Sequence, residues 1–384
     1  MNFEFSEEQR AFRDSARRYL SESYDFETRQ KIIRSEDPFS AQVWDTCAEL
    51  GWFYLPFPEH QGGLGGSILD SVLLFEELGR QLVVEPFLET LVLTGGLLSR
   101  CESESSNQLL GELMSGKLQG AFAHTEAISL GSAPALSTRA EKKGSQYKLN
   151  GRKIVVHNVG AADVIIVSAK LDRDELALFL LRADDAGLSL QNYPTIDGRT
   201  AGDISFKNLE VDEDRLLFRG EMAETVLKQI QADAMLAMSA DMVGSMNTLL
   251  ERTVNYTKER RQFNSRLVDF QVLRHRMVDM FVATELATSL LYAAATKVRD
   301  GAPDAFQIAA AAKAKTDKSA KMVAHAAIQL HGGIATTNEL PIGHHLKRIT
   351  VHEQRFGNTR TQISRFQSPP GAKTDATIPT MKVA

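Results

Sequence analysis

Apolar positions recur at helical spacing toward both ends of the chain and change to short runs in its middle. Near the N-terminus, Phe12, Ala16, Tyr19 and Leu20 share one helical face, behind Ser6 and Gln9 at capping-box spacing. A second helix is predicted from Ser40 to Leu50, ended by Gly51. A third runs from Leu69 to Leu82, opened by the glycine-rich loop that begins at Gln61 and ends at Ser67. From about Gly120 to Arg219 the pattern shortens. Lys153-Ile154-Val155-Val156, Val164-Ile165-Ile166-Val167 and Leu176-Ala177-Leu178-Phe179-Leu180 are separated by Asn150-Gly151, Asp185-Ala186-Gly187 and Asp197-Gly198, and Ile204 and Phe206 alternate with polar neighbours. Such runs and turns predict a β-domain. From about Glu221 the helical period returns. Leu227, Ile230, Ala234 and Ala237 form one stripe. Met235, Met238, Met242 and Leu249 form another, read as helix–helix core because Met fills irregular gaps. A further helix spans Gln271 to Val298 and stops at Gly301-Ala302-Pro303. Asp304 is expected to cap an alanine-rich helix that reaches Gly332-Gly333.

Helices, then strands, then helices predict a mainly α chain. The domains expected are an N-terminal helical domain at 1–118, a middle β-domain at 119–220 and a C-terminal helical domain at 221–367. Residues 368–384, rich in Pro, Thr and Lys, read as a tail. A formal net charge of −5 gives no support for nucleic acid or an anionic membrane as partner. No apolar run reaches the roughly 18–20 residues of a membrane span, so none is expected. The acidic, polar first ten residues do not read as a leader, and the expected location is the cytoplasm. Cys47 and Cys101 lack CxxC partners, and adjacent His344 and His345 point to different faces of a helix, so no metal site is expected.

Neither a Walker loop nor GxGxxG is present. The informative stretch is Tyr256-Thr257-Lys258-Glu259-Arg260-Arg261-Gln262-Phe263, followed by Gln271. Arg260 offers a fork of donors suited to a pyrophosphate, and Phe263 a face for a planar ring. This Tyr-x-x-x-Arg-x-Gln-Phe pattern resembles the acyl-CoA dehydrogenase family. So do Ile328-Gln329-Leu330-His331-Gly332-Gly333, Leu149-Asn150-Gly151-Arg152-Lys153, Thr125-Glu126 and the segment from Pro58 to Gly65, in the family's order across about residues 3–366. Within the family, Phe3-Glu4-Phe5-Ser6-Glu7-Glu8-Gln9-Arg10, Phe270-Gln271-Val272-Leu273-Arg274-His275-Arg276 and Gly343-His344-His345-Leu346-Lys347-Arg348 look closest to the small subunit of pimeloyl-CoA dehydrogenase.

The resemblance implies the acyl-CoA dehydrogenase fold, with a four-helix bundle in the C-terminal domain, and FAD as cofactor. It assigns the flavin ring to Thr125 and the backbone around His124 and His157. Further cofactor contacts fall to Arg260, Phe263, Gln271, Gln329, Gly332, Gly333, Thr359 and Gln362, several of them reaching a neighbouring subunit's FAD. The implied reaction is α,β-desaturation of an acyl-CoA thioester, with electrons leaving to an electron-transfer flavoprotein. The implied assembly is a homo-oligomer or a heterotetramer with a paralogous subunit. The sequence departs from the family at Val155, where a Trp often shields the flavin, at His157 for a Thr and at Asn264 for a Gly. It also departs at the catalytic base: the Glu of the family's Tyr-Glu-Gly-Thr aligns with Gly357, or with Asn358 one register on. The alternative base position on the first C-terminal helix is Ala234, followed by Met235. The nearest acids are Glu353 and Asp233. Three functions follow: a dehydrogenase with a displaced base, a flavin-binding non-catalytic subunit whose sister chain supplies the base, and a flavin oxidase or monooxygenase on the same fold.

Overall fold

The computed structural model describes residues 5–37, 39–101, 103–127 and 136–368. The tail expected at 368–384 therefore lies outside the described residues except for Ser368. Helices come first: α1 (Glu7–Ser23), α2 (Phe26–Arg34), α3 (Ala41–Glu49), α4 (Ile68–Gln81), a π-helical segment (Leu88–Gly95), α5 (Gly96–Cys101) and α6 (Glu104–Met114). Eight strands follow: β1 (Gly120–Ala123), β2 (Arg139–Lys143), β3 (Gln146–His157), β4 (Val164–Lys170), β5 (Leu176–Arg182), β6 (Leu188–Pro194), β7 (Thr200–Asp212) and β8 (Leu216–Arg219). Then come α7 (Gly220–Glu259), the small strands β9 (Arg261–Gln262) and β10 (Ser265–Arg266), α8 (Gln271–Arg299), α9 (Ala305–His331), α10 (Pro341–Gln354) and α11 (Thr359–Gln367). The helix–strand–helix order is the one the periodicity predicts.

The chain forms two compact units. One holds α1, Ile68–Val83 and the helices from Met235 onward. The other holds Ile32–Ser67 and Val84–Ala234, including the sheet. In the sheet unit the strands run in the order β6-β7-β3-β2-β4-β5-β8, with β1 parallel to β4 off that path. Its core is built from alternate positions such as Leu149, Ile165, Val167, Phe179, Ile204 and Leu209.

In the helical unit, α1 opens with the reciprocal capping box foreseen: Gln9 N–H donates to Ser6 Oγ and Ser6 N–H to Gln9 Oε1, both at 3.1 Å. Met235, Met238 and Met242 of α7 are fully buried, as core packing requires, whereas Met222 near its start is exposed. Asp304 departs from expectation. It makes no side-chain cap, because its carboxylate pairs with Lys297 at 2.6 Å instead. α8 is long and apolar enough, by length and composition alone, to cross a membrane, and 33% of that stretch is buried. Its apolar stretch is interrupted by single polar and charged residues such as Asp279 and Glu285, so it is not one continuous apolar run.

Gly79 on α4 and Gly244 on α7 let these two helices meet backbone to backbone. A Cβ on Gly79 would lie 2.0 Å from the Asp241 carbonyl oxygen. One on Gly244 would lie 1.9 Å from the Glu76 carbonyl oxygen. Ser245 Oγ and Thr248 Oγ1 then reach the Gly79 and Arg80 carbonyls, each at 3.2 Å. Gly244→Ala will lower the unfolding free energy by roughly 1–3 kcal/mol, since overpacking outweighs the gain in helix propensity. Denaturant titration checks this, and a stabilised Ala variant would mean the crossing is looser than described.

Candidate functional site

In the sheet unit, His124 and Thr125 follow β1, and His157 ends β3. A charged residue inside an apolar strand run must find a partner. Lys153, fully buried, donates to Glu126 Oε1 at 2.7 Å and to Ser168 Oγ at 3.1 Å. Ser168 Oγ bonds His124 Nδ1 at 2.9 Å. Glu126 also accepts Ser137 N–H (2.6 Å), Thr138 N–H (3.1 Å), Thr138 Oγ1 (2.7 Å) and the Ser137 hydroxyl. Burial alone would raise the Glu126 carboxyl. The Lys153 charge and these donors outweigh burial and hold it well below the usual carboxylate range. Burial lowers the Lys153 ammonium, with Glu126 opposing. The network fixes the chain on both sides of Thr125, whose carbonyl accepts the Ile154 N–H at 2.9 Å. Sequence reasoning missed the pair, although a lysine within Lys153-Ile154-Val155-Val156 was its signal.

In the helical unit, a pocket of about 470 Å³ is lined by Tyr256, Arg260, Arg276, Gln329, His331 and Gly332, among others. Tyr256 stacks on His331, with ring centroids 4.5 Å apart. His331 Nδ1 lies 2.8 Å from the Ala327 carbonyl, which can only accept, so the proton sits on Nδ1 and Nε2 is an acceptor. Burial keeps this imidazole below its ordinary pKa. Among the described residues the Arg260 guanidinium has no side-chain partner. It is an exposed donor set on the pocket wall. Beside it, β9 and β10 form a hairpin whose two turn residues, Phe263 and Asn264, have φ of 53° and 59°. That turn tolerates Asn where the family has Gly. It projects Phe263 outward, 89% exposed.

The other expected cofactor residues are dispersed. Gln271 starts α8, directly before the lining residues Val272 and Leu273 but not itself in the lining, and Thr359, also outside the lining, starts α11. Gly333 follows the lining residue Gly332, and a Cβ on either would meet nothing within 4 Å. Gln362 is buried, and its amide donates to the carbonyls of Phe356 and Gly357, each at 2.9 Å, so its hydrogen-bonding capacity is used within the chain. An open-sided pocket, an unpartnered guanidinium, Gln329 and an exposed aromatic suit the phosphate and ring groups of a dinucleotide cofactor.

The four base candidates are engaged otherwise. Gly357 has φ +98°, and a Cβ there would lie 2.7 Å from Thr361 Cγ2. Asn358 caps α11, its Oδ1 accepting the Thr361 N–H at 3.2 Å. Glu353 pairs with Lys321 at 3.1 Å. Asp233 pairs with Arg100 at 2.8 Å, and burial raises its carboxyl against the pull of Arg100. Ala234 and Met235 are buried and bear no acid.

The comparisons with known proteins agree with this architecture. Subunit CarC of the caffeyl-CoA reductase–Etf complex of Acetobacterium woodii is 28% identical over 372 residues, covering 93% of this chain and 97% of CarC. The human mitochondrial short-chain specific acyl-CoA dehydrogenase is 27% identical, covering 86% of this chain and 82% of that protein. The structure of butyryl-CoA dehydrogenase from Megasphaera elsdenii superposes with a TM-score of 0.87 at 25% identity, over 95% of this chain and 98% of that one. The acyl-CoA dehydrogenase N-terminal, middle and C-terminal domains match residues 6–117, 121–209 and 228–367 in turn. The chain therefore belongs to the acyl-CoA dehydrogenase family, oxidoreductases acting on CH–CH bonds, and has that family's three-part fold.

Proposed function

We propose that this chain serves FAD-dependent α,β-desaturation of an acyl-CoA thioester as one subunit of an oligomer in which a paralogous chain carries the catalytic base. The observation that carries this reading is the state of the four base candidates: one has no side chain, one caps a helix and two are ion-paired. Desaturation requires a carboxylate that takes the α-proton from the thioester. The likeness of the sequence to the small subunit of pimeloyl-CoA dehydrogenase agrees with such a division of labour, as does the relative CarC, itself a subunit of a larger complex.

Bound FAD supplies the acceptor for the β-hydride. His124, Thr125 and His157 hold the flavin ring of one FAD, and Arg260, Phe263 and Gln329 reach the pyrophosphate and adenine half of an FAD held by a neighbouring subunit. Electrons leave to an electron-transfer flavoprotein. The subunit contact is assigned to α8, where Val278, Phe281, Val282 and Leu286 form one exposed apolar face at helical spacing.

The test is purification alone and with an adjacent paralogue, recording flavin absorbance and acyl-CoA turnover for each. Arg260→Ala removes a charge-assisted contact and will weaken FAD binding by roughly 1.5–3 kcal/mol, about ten- to a hundredfold. Unchanged FAD affinity in that variant would remove Arg260 from the site. A monomer that still holds FAD would remove the shared-cofactor arrangement.

A further inference from the structure

Val155 has φ +51°, a backbone conformation rare for a β-branched residue, and its side chain is 41% exposed. Neither local preference nor burial accounts for it. The pairing of β3 with β7 does. Lys153 faces Ile204 and Val156 faces Gly202, so Ile154 and Val155 together oppose the single residue Asp203. This is a β-bulge. It shifts the alternation by one. Lys153 and Val156 both turn inward, and Val155, which strict alternation would bury with Lys153, turns out.

The Asp203 side chain closes the bulge. Its Oδ1 accepts the Val155 N–H at 3.2 Å and the Tyr193 hydroxyl, from β6, at 2.7 Å. Its Oδ2 accepts Arg152 Nη2 at 2.7 Å. Burial opposes the Asp203 charge, but these donors hold its carboxyl below the usual range, so it stays an acceptor. Burial and Asp203 raise the Tyr193 phenol to about 12, so it stays a donor. The neighbouring bulge amide, Ile154 N–H, donates to the Thr125 carbonyl. One amide of the bulge is thus tied to Asp203 and the other to the loop that carries His124 and Thr125.

We infer that Asp203, braced by Tyr193 and Arg152, is a positioning residue: it holds the Ile154–Val155 bulge and through it sets Thr125 against the flavin ring. The clamp itself is independent of any ligand. Its consequence for the flavin rests on the functional reading above. Glycine adopts φ +51° without strain, so Val155→Gly removes the need for the clamp.

The experiment uses the full-length protein, and its FAD form, with Asp203→Ala, Asp203→Asn, Tyr193→Phe and the double variant Asp203→Ala/Val155→Gly. Hydrogen exchange is followed in the peptide covering residues 150–158, and flavin absorbance and fluorescence are recorded. Asp203→Ala will speed exchange of the bulge amides by about tenfold or more and shift the flavin spectrum. Asp203→Asn, which keeps an acceptor, will lie closer to wild type. The double variant, which relieves the φ strain without restoring an acceptor for the residue-155 amide, will regain thermal stability lost in Asp203→Ala, read from the melting midpoint. Tyr193→Phe will give a smaller change of the same kind. If Asp203→Ala does not fold, the double variant and Tyr193→Phe carry the comparison. Wild-type exchange in Asp203→Ala, or no thermal stability regained in the double variant, overturns the clamp. Faster exchange with an unmoved flavin spectrum overturns the positioning role while leaving FAD binding intact. A protein that never takes up FAD defeats the functional reading, and the exchange data still decide the clamp.

Discussion

Purified alone, this chain will turn over acyl-CoA thioesters at no more than background rate, and Gly357→Glu will not change that. Proton abstraction needs a carboxylate within about 3 Å of the α-carbon's proton, free to accept it. At the position where the family motif places the base, φ is +98°, and a Cβ would lie 2.7 Å from Thr361 Cγ2 and 2.9 Å from Thr361 Cβ. Substitution there forces the turn to move. That turn is held by Gln362 and by Arg365, which donates to the Phe356 carbonyl. Gly357→Glu is expected to cost roughly 1–3 kcal/mol of stability and to leave its carboxylate out of place. Turnover by the wild type alone, by Glu353→Gln, by Asp233→Asn and by wild type mixed with a paralogue decides the matter. Only the mixture should desaturate substrate. Robust turnover by the lone wild type that survives both substitutions would reveal a base not identified among these residues. Turnover lost in Glu353→Gln would make Glu353 the base, after release from Lys321.

Arg348→Met will be among the most destabilising single substitutions in the helical unit, lowering the unfolding free energy by about 3–5 kcal/mol. Arg348 is fully buried. It donates to Asp241 Oδ2 at 3.0 Å and to the carbonyls of Leu82 (3.3 Å) and Val83 (2.9 Å). Leu82, with φ +57°, ends α4 in a tight turn, and Arg29 Nε donates to the same carbonyl at 2.9 Å. Methionine fills much of the arginine's volume, so the loss isolates charge and hydrogen bonds from packing. It takes the Arg348 charge away from the buried Asp241 carboxylate, which His352 also faces at 3.3 Å. The double variant Arg348→Met/Asp241→Leu should lose less than Arg348→Met alone, because removing one member of a buried charge pair costs more than removing both. A single-variant loss under about 1 kcal/mol, read from denaturant midpoints, would show that His352 or water takes over the role.

The sequence by itself determined the class and order of elements, because periodicity and punctuation are local properties. Ser6 and Gln9 start α1, Met235, Met238 and Met242 enter the core of α7, and Gly332 follows the last residue of α9, as spacing predicts. Tyr256 and Arg260, one helical turn apart, and Gln329 and Gly332, from one short motif, line the same pocket. What only the tertiary structure decided depends on groups far apart in the chain. Asp304 has the residue type of a cap but is paired with Lys297. Lys153 sits in an apolar strand and becomes intelligible only beside Glu126. Gly79 and Gly244 look like weak points in two helices until the helices are seen to touch there. Val155 reads as an ordinary strand residue, yet Asp203, 48 positions later, turns it out of the sheet. Each is a choice between locally acceptable states, made by a partner that no window of neighbouring residues contains.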